Sequence, residues 1–180
     1  MKKDIPLNQA KWIIEPGCVV LVAGGTTEHA NVMTFSWQTP IHTSDPCMVL
    51  LVVNRVRYTY ELIRQNDELT INVPGANLLE QTHRVGTVTG RGINKFAEIG
   101  LTPTPANVVG PPLVAECAGH LECRVVETHG VKSHDLLICE VVHASAEEKY
   151  FDGAWKPEKF HTLHYMQGNQ YGLLTRRVEV

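Results

Sequence analysis

The sequence lacks any apolar run long enough to cross a bilayer. Its longest, Met48 to Val53, falls far short of the roughly 20 residues a spanning helix needs. The opening Met1-Lys2-Lys3-Asp4-Ile5-Pro6 leads into no apolar signal core. A soluble, cytoplasmic protein with no membrane partner is therefore expected. An excess of positive charge is also missing. Sixteen Lys and Arg stand against 19 Asp and Glu, a formal net charge of −3. Nucleic-acid binders usually carry a basic footprint, so no nucleic-acid partner is expected. A local basic pocket for one phosphate is still compatible with that balance.

Cysteine offers no motif. Cys18, Cys47, Cys117, Cys123 and Cys139 are an odd set without CxxC spacing. Each lies in or beside a β-like apolar run, so buried, reduced thiols are expected. A redox pair such as Cys117 and Cys123 has no motif behind it. Catalytic signatures are missing too: no GxSxG elbow, no HExxH helix, no paired carboxylates at a recognisable spacing. His161 and His164 are spaced to share a metal only if their segment is helical, and no Cys or carboxylate sits at a helpful spacing. Hydrogen-bonded histidines, and no metal site, are expected there. No repeat or linker divides the chain. It reads as one domain over residues 1–180 with a C-terminal extension from about Lys149.

What the sequence does contain is β-strand pattern. Strands are expected at Cys18 to Ala23, Ala30 to Thr39, Cys47 to Val53, Glu68 to Val73, His120 to Thr128 and Leu136 to Ser145. The unbroken run Cys47 to Val53 suggests a strand buried on both faces. Short helices are expected at Arg57 to Gln65, Asn77 to Val85 with Asn77 as cap, and Asn94 to Ile99 with Gly100 as stop. Long helices do not alternate with the strands, so a small antiparallel barrel with inserted helices fits better than a doubly wound sheet.

Three segments carry polar chemistry. Asn31 to Pro40 sets bonding side chains beside Phe35 and Trp37. That suits a planar heterocycle, which needs apolar faces and polar edges, and equally an ordinary half-buried strand. Asn54 to Leu62 follows a strand and enters a helix, with Arg55, Arg57 and Thr59 near the helix start. It reads either as a phosphate cradle or as a solvated turn. Gly86 to Phe96 is glycine-rich but has neither GxGxxG after a strand nor a Walker ending. It reads as a surface loop presenting Arg91 and Lys95.

Together the segments resemble the flavin reductase-like family, in its flavoredoxin branch of FMN-binding split barrels. The stretches "NVMTFSW", "RYTYELI", "HRVGTVTGRGINKFAEIGLTP" and "LVAECAGHLECRVVE" occur in the family's order and spacing, from about Trp12 to Tyr165. The resemblance implies a mainly β, six-stranded antiparallel Greek-key split β-barrel that forms a homodimer and binds FMN. It implies that Asn31, Thr34, Phe35, Ser36 and Trp37 line the flavin ring. It implies that Asn54, Arg57, Tyr58 and Thr59 hold the phosphate end, and that Lys95, His134 and Tyr165 also reach the cofactor. No side chain would be catalytic, because FMN carries the chemistry. Electrons would pass from NAD(P)H or a protein donor to free flavin or a redox partner. A non-catalytic flavin-binding or ligand-sensing barrel is the alternative. The chain departs from many relatives in having Gly92 and Asn94 where acidic residues are common, and Asn54 where Ser is frequent.

Overall fold

A computed structural model describes residues 17–179. The N-terminal segment and Trp12, from which the sequence resemblance was counted, lie outside the described residues. In chain order the strands are β1 (Gly17–Cys18), β2 (Val20–Gly25), β3 (Ala30–Phe35), β4 (Gln38–His42), β5 (Met48–Asn54) and β6 (Glu68–Val73). They continue with β7 (Pro103–Thr104), β8 (Leu113–Val114), β9 (Gly119–Val131), β10 (His134–Ala146), β11 (Leu163–Gln167) and β12 (Gln170–Leu173). Helices α1 (Tyr58–Asn66), α2 (Leu79–Thr87) and α3 (Lys95–Ile99) fill connections, and a 3-10 turn, Ala76–Leu78, precedes α2.

The main sheet has seven strands in the order β3-β2-β6-β9-β10-β5-β4. All its pairings are antiparallel. Its two edges, β3 and β4, are consecutive in the chain and are separated only by Ser36 and Trp37. A link that short spans at most about 10 Å, so the sheet must curl until its edges meet. The result is a split antiparallel barrel, as expected, with one strand more than the sequence suggested. The extra strand arises because the expected strand Ala30 to Thr39 breaks at Ser36 and Trp37 and crosses from one edge to the other.

The barrel interior is packed by Val20, Val22, Met33, Val49, Leu51, Val53, Ile63, Leu69, Ile71, Cys123, Leu137 and Cys139. A second cluster lies outside β2 and β3, where Leu21, Ala23 and Val32 meet Leu78, Val85, Phe96 and Ile99 beneath α2 and α3. The strand buried on both faces is therefore β2, which is buried along its whole length. The run expected to have that property, in β5, instead alternates buried and half-buried positions. Its unbroken apolar pattern hides which face is covered, and the helices cover β2 rather than β5.

Helix α1 packs on β2 through buried Leu62 and Ile63, each worth about 1.5–3 kcal/mol of apolar burial. The close approach depends on Gly24, where a Cβ would lie 2.7 Å from Ile63 Cγ1. Asn77 does not cap a helix: it sits in the 3-10 turn, and α2 starts two residues later. Asn94 does cap α3, its Oδ1 accepting from Ala97 N at 3.3 Å, and Gly100 ends it in the left-handed conformation at φ 75°. Cys117, Cys123 and Cys139 are buried, but Cys18 is half-buried and Cys47 exposed, so burial of all five does not hold. Cys47 ends up exposed because it falls just before β5 begins. The His161–His164 segment runs into strand β11 rather than a helix, which removes the geometry a shared metal would need. Among the described residues no helix is long and apolar enough to cross a membrane.

Candidate functional site

A cavity of about 490 Å³ opens where the barrel edges meet, a size typical of small-molecule sites. Eleven of the twelve residues singled out in the sequence line it: Asn31, Thr34, Phe35, Ser36, Trp37, Asn54, Arg57, Tyr58, Thr59, Lys95 and His134. Three separate stretches converge there because β3 forms one wall, the β5–α1 junction the second and the α2–α3 connection the third. Tyr165 stands apart. It lies on β11, opposite Gly17 of β1 and Tyr171 of β12, with its ring 5.7 Å from that of Tyr171.

The β5–α1 wall is shaped by Asn54. Its Oδ1 accepts from Val56 N at 3.1 Å, and its carbonyl accepts from Arg57 N at 3.1 Å. This side-chain turn reverses the strand directly into α1. Arg57 occupies the N-cap position but makes no side-chain cap bond. The first amides of α1 therefore remain available, at the positive end of the helix dipole. Arg57 itself makes no side-chain hydrogen bond or ion pair among the described residues. Tyr58 bonds through its hydroxyl to His29 Nε2 at 3.0 Å. Its ring lies beneath Arg91, whose guanidinium carbon is 5.2 Å from the ring centroid.

The floor is buried and polar. Asn31 and Thr59 are 2% and 1% exposed, and Asn31 Nδ2 donates to Thr59 Oγ1 at 2.7 Å. Asn31 Oδ1, by contrast, is buried without a hydrogen-bond partner. Such an orphaned acceptor costs about 1–3 kcal/mol unless a ligand or water satisfies it. Thr34 Oγ1 donates to the Thr82 carbonyl at 2.5 Å, tying β3 to α2.

Lys95 is not presented by a surface loop. It begins α3, is 4% exposed, and donates from Nζ to the Val32 carbonyl at 3.1 Å and the Val85 carbonyl at 2.8 Å. Its neighbours are thus backbone oxygens, which replace the acidic side chains absent at Gly92 and Asn94. An ammonium has three N–H groups, so one remains for a ligand. Burial, helped by the nearby Arg57 charge, pulls its pKa down to about 8. No carboxylate is among the described residues lining the cavity. The field inside is that of Arg57, Lys95 and a helix N-terminus, which favours an anion.

The opposite end is aromatic and open. Trp37 is 42% exposed, and its ring lies 5.6 Å from that of His134, tilted by 35°. His134 is held through its strand. The following Asp135 accepts from Arg55 Nε at 2.8 Å and from the Tyr60 hydroxyl, and Arg55 Nη1 donates to the Lys132 carbonyl at 2.8 Å. The hydrogen bonds from Arg55 and then Tyr60 hold the Asp135 carboxyl below the usual carboxylate range. This clamp joins the β5–α1 wall to the start of β10, and so fixes that wall against His134.

Sequence reasoning did not name Met33, Val52, Val53, Val56 and the stretch Val85 to Gly90 as site residues, and these complete the lining. Gly90 is the most informative of these, since a Cβ there would overlap the Asn31 amide. The glycine lets the loop backbone pass over the orphaned acceptor. Spacing could not reveal it, because the loop follows no nucleotide-binding pattern.

Fold and cavity define a split-barrel protein with a cationic site at the barrel seam and no carboxylate among its described lining residues. Residues 15–173 match the family model described as flavin reductase like domain, and the chain belongs to that family. It is 32% identical to the Escherichia coli K12 protein YddH, over 99% of this chain and 98% of that one. Flavoredoxin from Methanosarcina acetivorans superposes with a TM-score of 0.87 at 27% identity, over 100% of this chain and 95% of that one. RutF of Bradyrhizobium diazoefficiens, an NADH-dependent FMN reductase, is 26% identical over 56% of this chain and 53% of its own length.

Proposed function

We propose that the cavity holds FMN and that the protein passes electrons from NAD(P)H, or from a protein donor, through it to free flavin or a redox partner. The observation that carries this reading is that the orphaned Asn31 Oδ1 and Lys95, with one N–H left over, line a single cavity with no carboxylate among its described lining residues. The family membership and the likeness to an FMN reductase support the same ligand.

The residues present fit that group. The α1 amides, Arg57 and Thr59 suit its phosphate. Asn31 and Lys95 offer an acceptor and a donor to polar edges. Phe35, Trp37 and His134 supply apolar and aromatic surface beside the ring system. Bound FMN supplies the hydride and single-electron chemistry itself, which accounts for the lack of a catalytic motif. The protein's tasks are then to bind, to orient and to place positive charge. The buried Lys95 ammonium favours whichever redox state of the ligand carries more negative charge. The exposed Trp37 and Val56 at the mouth suit either a stacked nicotinamide or a second subunit, and the reading includes a homodimer. A cytoplasmic location goes with a reductase of this type.

The test is the visible spectrum of the purified protein, followed by titration with FMN. A yellow product, or saturable FMN binding, supports the reading; a colourless product that binds no added FMN ends it. Steady-state turnover of NADH or NADPH with excess flavin then separates a reductase from a relay, which turns over negligibly.

A further inference from the structure

Arg55 does not join Arg57 among the residues lining the main cavity. It grips the turn between β9 and β10 instead, where Lys132 and Ser133 lie between the paired residues Val131 and His134. Its backbone N–H donates to the Ser133 carbonyl at 3.1 Å. Nη1 donates to the Lys132 carbonyl at 2.8 Å and Nη2 to the His134 carbonyl at 3.3 Å. Nε donates to Asp135 Oδ1 at 2.8 Å, and the Tyr60 hydroxyl donates to the other oxygen of that carboxylate. We propose that Arg55, Asp135 and Tyr60 are positioning residues: they hold the His134 ring against Trp37 at the cavity mouth, where an electron donor meets the bound ligand. The inference deepens the FMN reading and rests on it for what the donor meets there.

His134 leaves the sheet where strand pairing stops. The last rung between β10 and β5 is His134 with Asn54, and β6 covers β9 only as far as Arg124. Lys132, in the turn, has φ 54°, a left-handed conformation that L side chains avoid. The carbonyls of such a turn need outside partners to stay in one arrangement, and Arg55 supplies a donor to each of residues 132, 133 and 134. Neighbours along a strand point to opposite faces, so the clamp on Asp135 acts from behind His134. Asp135 is 6% exposed, while the His134 ring stands 5.6 Å from that of Trp37. On the ring itself, Ser133 Oγ lies 3.1 Å from Nδ1. Space for the guanidinium is made by Gly130, the cross-strand partner of Asp135: a Cβ there would lie 2.7 Å from Arg55 Nη2. Only a rigid planar fork reaches the carboxylate and two carbonyls at once, so lysine is no substitute for this arginine.

The experiment uses the full chain in two arms, wild type against Tyr60→Phe and Arg55→Lys. The first variant removes one hydroxyl and keeps the ring that packs on the barrel core; the second keeps the charge and loses the fork. Without flavin, the His134 ring resonance is followed by proton NMR and identified by its loss in His134→Gln. The Trp37 ring displaces that resonance, and Trp37→Leu returns it toward the ordinary histidine position. Tyr60→Phe and Arg55→Lys should return it part of the way, with circular dichroism showing the fold retained. In the FMN-loaded protein, both variants should slow reduction of the flavin by subsaturating NADH or NADPH by about tenfold and leave FMN affinity unchanged. An unmoved His134 resonance in both variants overturns the proposal. So does a loss of FMN affinity as large as the loss of reduction rate, which would mark the cluster as a strut for the whole cavity. A wild type that binds no FMN ends the FMN reading, and one whose FMN neither nicotinamide reduces ends the nicotinamide donor; in both cases the resonance alone decides the positioning.

Discussion

The two ends of the main cavity are built on different principles. At the polar end Asn31, Thr59 and Lys95 are almost wholly buried and bonded to one another or to backbone carbonyls. At the aromatic end Trp37 is 42% exposed and Val56 72%. Buried polar groups have few alternative partners, so they fix a ligand's position and penalise its absence. Exposed aromatics give contact area and access. The difference separates grip from traffic: one end holds, the other lets reactants reach what is held.

Four changes test that division, from the largest expected effect to the smallest. Gly90→Val drives a side chain into the Asn31 amide, and should weaken FMN binding by about 100-fold or more, a loss of about 3 kcal/mol. Equilibrium titration would show it, with circular dichroism confirming the fold. Thr59→Val removes the acceptor of Asn31 Nδ2. An unpaired buried donor costs about 1–3 kcal/mol, so a fall in thermal stability should accompany a roughly tenfold loss of FMN affinity.

The third test uses pH. Burial lowers the Lys95 pKa to about 8, so the unfolded chain binds more protons than the folded one between pH 8 and the ordinary lysine value. Stability of the FMN-free protein should therefore gain a rising component over that window as pH increases, and lose it as pH falls through 8. FMN affinity should move oppositely, weakening above pH 8 as the ammonium loses its proton. A Lys95→Met variant with unchanged pH profiles would show that another group is responsible. The fourth and smallest effect is Trp37→Ala, expected to cost about threefold in FMN affinity, under 1 kcal/mol, while changing the KM for the electron donor more than the affinity for FMN. An equal or larger loss of FMN affinity than at Thr59 would collapse the distinction between the two ends.

Much of this was legible in the sequence. Strand β6 falls where the alternating Glu68 to Val73 run is bounded by Pro74-Gly75, and α1 starts one residue from the expected position. Eleven of the residues that the family resemblance implied line one cavity; ten of them lie in the three polar segments, and His134 was named through the resemblance alone. What was illegible has a physical cause in each case. The corner at Ser36 and Trp37 contains neither Gly nor Pro, so nothing local marks the change of edge. Lys95 reads as a surface residue because a buried ammonium depends on carbonyls from Val32 and Val85, one of them 63 positions away in sequence. Tyr165 falls outside the cavity because its strand pairs with β1 and β12, a pairing set by distant segments.

The buried Glu122 shows the same dependence on distant segments away from the site. It accepts from the amides of Asn107, Val108 and Val109. Burial raises its pKa, but those hydrogen bonds outweigh it and hold the carboxyl below its usual range.

The two-residue join between β3 and β4 has a consequence for how the molecule is made. The barrel seam can close only after the intervening strands have paired across the whole sheet, and such non-local pairing is slow to form. Asn31, Met33 to Trp37, Val52 to Asn54 and Val56 to Thr59 all line the cavity at that seam. A partly folded chain would hold every one of these residues and yet no cavity. Ligand capture thus reports completion of the barrel, and the rate at which a refolding chain regains its ligand would time the last step of assembly.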